Sequence, residues 1–145
     1  MTVAAITLGF VLQLPPRWSG LVDVSGSCFY AIPPDWKIDA ASESVNAVAY
    51  SPEGRATAVV VSASRTAWPS VVGTLRSSLP AVLVHEDSAQ RFWIEYGPAS
   101  PGAHHVAAVP AAGGGCVLYL DVNEKADSPL HAIVKEIVRT LIALR

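Results

Sequence analysis

The segment from Cys28 to Ile38 (CFYAIPPDWKI) constrains the fold of this chain more than any other. Its first five residues are apolar and suited to a strand. Pro33 and Pro34 then remove two backbone donors in succession, so a ladder must stop there. A strand that ends on a double proline and meets Trp36 at once reads as the first strand and corner of a domain. Trp36 stands where an indole covers a sheet edge while its N–H still reaches water or a carbonyl.

The remainder repeats the theme of short strands punctuated by turn residues. Asn46 to Tyr50 and Ala56 to Ser64 flank Ser51-Pro52-Glu53-Gly54-Arg55, whose Pro and Gly supply the dihedrals of a tight connection. The period then changes. Trp68, Val71, Val72, Leu75 and Leu79 draw one helical stripe, with Thr66 as the expected N-cap and Pro80 as the stop. Val82 to His85 and Gln90 to Tyr96 form the next hairpin, and His104 to Pro110 and Cys116 to Val122 the last, joined by a flexible Ala111–Gly115 turn. The clearest element closes the chain. Ser128 caps, Pro129 takes the first helical position, and Leu130, Ile133, Val134, Ile137, Val138, Leu141 and Ile142 form an apolar stripe through to Arg145.

A stripe of seven apolar side chains must lie on a sheet. At about 1.5–3 kcal/mol each, their burial is what makes such a helix stable. Three strands, a helix, four strands and a helix give an α+β domain: an antiparallel sheet of about six to seven strands covered by two helices. A length of 145 residues, half of them apolar, suits one domain over residues 28–145. Only 15% of residues are charged, and the net charge is −2 with no run of basic residues. That excludes the electrostatic footprint of a nucleic-acid binder.

This element order, opened by the aromatic-x-Ile-Pro-x-x-Trp pattern of Tyr30, Ile32, Pro33 and Trp36, resembles the PsbP-like fold. That family includes the extrinsic photosystem subunit, a nuclear-transport factor, and bacterial envelope lipoproteins and chaperones of the DcrB type. The resemblance spans Cys28 to Arg145 and implies binding without turnover. The basic surface stretches expected of the photosystem subunit are missing here, and if residues 1–27 are a leader, a bacterial envelope protein is the closer match.

The first 27 residues bear on compartment. Thr2 to Leu14 is uncharged and apolar, the length of a signal-peptide hydrophobic region and too short for a bilayer core of about 30 Å. No transmembrane span is expected. Ser25-Gly26-Ser27 stands before Cys28 as small residues stand before a cleavage site, although no Lys or Arg precedes the apolar run. If residues 1–27 are a leader, the protein belongs to the bacterial envelope or is secreted; otherwise it is cytoplasmic. Three fates stay open for Cys28 and Cys116: a disulfide in an exported protein, a lipid anchor on Cys28, or two buried thiols in a reducing compartment.

No catalytic constellation or cofactor motif stands out. His104 and His105 point to opposite faces of one strand, so only one of them can join a site, and zinc wants further ligands. His85, beside Glu86 and Asp87, supplies them only if two hairpin ends meet, and no metal site is assigned. A protein partner is expected, a second copy of the chain among the candidates. Its contact surface is placed at Trp93, flanked by Arg91 and Glu95 on the face opposite Phe92, Ile94 and Tyr96, with Trp36 as a second anchor. The leading reading is a non-enzymatic protein-interaction or chaperone-like module. A carrier of lipid or another hydrophobic ligand between sheet and helices is the alternative, and a hydrolytic or metal-dependent enzyme using His85 or His104 the third.

Overall fold

The computed structural model describes residues 17–23, 25–39, 47–97 and 102–144. The apolar span Thr2 to Leu14 lies outside the described residues, as do Asn46 and Arg145.

Among the described residues ten strands and two α-helices follow in order: β1 (Ser19–Val22), β2 (Cys28–Ile32), β3 (Lys37–Ile38), β4 (Ala47–Tyr50), β5 (Ala56–Ser64), α1 (Trp68–Ser78), β6 (Ala81–Asp87), β7 (Phe92–Tyr96), β8 (Ala103–Ala111), β9 (Gly114–Val122), α2 (Leu130–Arg139) and β10 (Ile142–Ala143). Seven strands form one antiparallel sheet in the order β3-β4-β5-β9-β8-β7-β6, and β1-β2-β10 form a second. The α+β class, the seven-stranded sheet and the two helices match expectation.

While β6 and one side of β5 stay partly open, the centre of the large sheet is covered on both faces. On one, which we call face A, it packs against β2 and α2 through Ala49, Ala58, Val60, Leu118, Leu120, Val134, Ile137 and Val138. On the other, face B, α1 sets Val71, Val72 and Leu75 against Phe92, Ile94, Val106 and Ala108. Alanines at positions 47, 49, 56 and 58 keep face A shallow where β2 crosses it. The Tyr30 hydroxyl can therefore donate to the Ala47 carbonyl at 3.0 Å.

Several local expectations are corrected. The strand Cys28–Ile32 is not the first: Ser19–Val22 pairs with it, Leu21 opposite Tyr30. Between them the Asp23 carboxylate accepts hydrogen bonds from the Ser27 and Cys28 amides. α1 begins at Trp68 with Ala67 at its N-cap and no side-chain cap, so Thr66 does not serve. α2 ends at Arg139 rather than Arg145. The Thr140 hydroxyl turns back to the Ile137 carbonyl and accepts from the Ala31 amide, and Ile142–Ala143 then pair with Phe29 and Cys28. Strand pairing with β2 outcompetes another helical turn. The β8–β9 connection is only Ala112-Gly113, with Gly113 at φ 77°, because Gly114 and Gly115 already belong to β9. Gly115 leaves room for the Trp68 ring, which a Cβ there would meet at 3.2 Å.

Cys28 and Cys116 are joined by a disulfide across 88 positions, with Cα atoms 5.6 Å apart and no exposed surface on either residue. Of the three fates open to these cysteines the structure holds the disulfide, which leaves no thiol for a lipid on Cys28. It ties the small sheet to the centre of the large one. Replacing both cysteines with alanine should lower unfolding stability by about 2–5 kcal/mol in denaturant titrations. An unreduced, denatured sample of the native chain should show no free thiol.

Candidate functional site

Three adjacent strands bring together a polar row on face A. In β7, Trp93 and Glu95 share that face, and in β8 His105 lies directly opposite Glu95 in the register. The third member comes from β6 by an irregular route. Register shifts interrupt β6 between Ala81 and Leu83 and again between Val84 and Glu86, so Val82 and His85 are inserted residues. A bulge re-aims a side chain that plain alternation would send elsewhere. Here it places His85 over Trp93, rings stacked with centroids 4.2 Å apart.

His85 Nε2 lies 2.6 Å from Glu95 Oε2. One ligand-type atom from each of His85, Glu95 and His105 falls within 4.8 Å of the other two. The Trp93 indole N–H donates to His105 Nδ1 at 3.1 Å, which places the proton of neutral His105 on Nε2. His105 is 1% exposed. Burial pushes its pKa down from the ordinary 6.5 to about 4; the Glu95 carboxylate opposes the shift, while His85, Lys135 and His131 add to it. From α2, Arg139 stands over the Trp93 ring at 5.8 Å.

The structure moves Trp93 from the surface to the core. It is 6% exposed and belongs to the main apolar cluster, as does Trp36, also 6% exposed. The alternation in β7 was legible, but it separates face A from face B rather than core from solvent, because both faces are covered. Arg91 is half-buried and donates to the Val138 and Leu141 carbonyls at the end of α2, at 3.3 and 3.5 Å. Glu95 is half-buried against His85. His104 sits on face B, paired with Asp121 at 2.5 Å and stacked on Tyr96. His85 meets Glu95 and His105 rather than Glu86 and Asp87.

Val22, Ile38 and Val61 are exposed singly on β1, β3 and β5, whereas β6 carries a continuous exposed apolar run. Among the described residues this seven-residue strand ends the large sheet and pairs only with β7. Val82, Leu83 and Val84 are 71, 50 and 56% exposed. Sheets usually blunt such an edge with charges, prolines or brevity. β3, at the opposite edge, is two residues long. A cavity of about 500 Å³ near the start of α2 is lined by Arg55, Asn123, Glu124, Lys125, Asp127, Ser128 and Pro129, a mostly charged and polar wall. Among the described residues no helix is long and apolar enough to cross a membrane.

Solved structures of other proteins share this fold. The solution structure of cyanobacterial PsbP from Synechocystis superposes with a TM-score of 0.53 at 10% identity, covering 90% of this chain and 94% of that one. A crystal structure from Bacteroides thetaiotaomicron gives a TM-score of 0.53 at 12% identity, covering 88% of this chain and 48% of that one. The fold is therefore PsbP-like. No protein-family model matches the sequence, and no curated protein does.

Two measurements follow from this placement. Trp93→Ala should destabilise the fold by about 3–5 kcal/mol, the cost of a large buried aromatic; a change below about 0.5 kcal/mol would put Trp93 back on the surface. In metal-free buffer, His105 takes up its proton more readily unfolded than folded, so stability should be full above pH 6.5 and fall as pH drops toward about 4. His105→Gln should flatten that slope in pH-dependent denaturation.

Proposed function

We propose that this chain is a non-enzymatic binding module of the bacterial envelope, which holds a partner protein by adding that partner's extended strand to the open edge of β6. The observation that carries the proposal is the run Val82-Leu83-Val84, exposed on an edge whose outward amides and carbonyls have no neighbouring strand among the described residues. An added strand takes up those groups, and alternate apolar side chains supply specificity. The disulfide between Cys28 and Cys116 supports an oxidising compartment, since such bonds are rare in reducing cytosol.

A different protein suits this edge better than a second copy. Antiparallel self-pairing centred on Leu83 sets Glu86 opposite Pro80, which has no N–H, and Asp87 opposite Leu79. In antiparallel addition the acidic end of β6 instead calls for a partner strand in which a basic residue is followed by apolar ones.

A photo-crosslinking residue at Val82, with one at Val61 as the control, tests the proposal in cells that make the protein. Val82 should yield a discrete adduct with another protein, and Val61 should not. Adducts at twice the mass of this chain would mean a homodimer, and identical patterns at both positions would contradict the edge as the binding surface.

A further inference from the structure

We propose that His85, Glu95 and His105 bind one divalent metal ion of borderline softness, with zinc as the reference ion. Two imidazoles and one carboxylate form a donor set that zinc accepts while keeping a fourth position for water. The three come from neighbouring strands β6, β7 and β8 and face the same way, so the sheet itself holds their spacing. Their ligand-type atoms already fall within 4.8 Å of one another. Tetrahedral zinc with bonds of about 2.0–2.2 Å separates its ligands by roughly 3.3 Å. The His85–Glu95 pair, now 2.6 Å apart, has only to open by a fraction of an ångström to admit the ion. β6 is an edge strand and His85 an inserted residue in it, so this is the ligand freest to adjust.

Trp93 sets the affinity. Its indole N–H donates to His105 Nδ1. A metal at Nδ1 takes the lone pair that receives this bond. A metal at Nε2 drives the His105 proton to Nδ1, where it faces the indole N–H. Either way Trp93 loses its acceptor, and a buried donor left without one opposes binding. Lys135, which lies close enough to act on His105, and Arg139 over the Trp93 ring add positive charge that also disfavours a cation. The site is therefore a moderate one, with micromolar rather than nanomolar affinity.

Calorimetric titration of zinc into the tag-free, chelator-stripped full chain tests this. One ion should bind per chain. Glu95→Gln and His85→Gln should each weaken binding about tenfold or more, while His104→Gln should leave it unchanged. Trp93→Phe, which keeps a ring against His85 and removes the competing N–H, should tighten binding about tenfold. Binding lost with His104→Gln, or retained by both ligand variants, would overturn the proposal, as would the absence of one-to-one binding. If a variant fails to fold, cobalt(II) added to the unaltered chain decides the matter. An intense tetrahedral visible band supports the site, and the weak spectrum of the hydrated ion overturns it.

Discussion

The molecule depends on the burial of face A of the large sheet beneath β2 and α2. A ten-residue helix is too short to hold itself together in water, and α2 has no side-chain cap at its N-cap residue. It exists because Val134, Ile137 and Val138 disappear completely against the sheet, each burial contributing about 1.5–3 kcal/mol. β2 shares that surface. The Cys28–Cys116 bond, the Tyr30 hydroxyl on the Ala47 carbonyl, and Thr140 bridging Ala31 to Ile137 all tie the same layer down. Through Ile142 and Ala143, which pair with Phe29 and Cys28, the end of the chain is fastened to that layer too.

The same double coverage explains where the sequence misled. Periodicity located seven of the ten described strands and both described helices, since long apolar patterns depend on burial that any such sheet provides. It could not say that α1 covers face B, so the Trp93 side of β7 looked like solvent. β3 and β10 are two residues each and carry no period at all; their pairing is decided by what lies across from them. The end of α2 was illegible for a related reason. Leu141 and Ile142 continue the helical stripe, yet β2 offers Ile142 a strand partner. The polar row was hidden most deeply. Glu95 and His105 oppose each other through a register that the hairpin lengths suggest, whereas His85 reaches them only through a bulge, which leaves no mark in the hydrophobic pattern.

With the centre of the large sheet covered on both faces, the proposed binding surface is its edge. β3 is too short to offer a template, whereas β6 presents seven residues, three of them exposed and branched. The row of His85, Glu95 and His105 begins on this strand, so an ion there and a partner strand along the edge share one element. An ion that fixed His85 would also restrain the bulge beside the apolar run. On the two proposals, both a partner strand and an ion would act on β6.

Hydrogen exchange on the isolated chain, at a concentration where it is monomeric, tests the open edge most directly. Amides of β6 that point away from β7 should exchange at nearly unprotected rates, while those of Val106–Ala108 and Val117–Leu120 exchange only through global unfolding. Protection of every amide in Ala81–Asp87 to the level of β8 would mean that the edge is already covered within the chain, and would contradict its role as the binding surface.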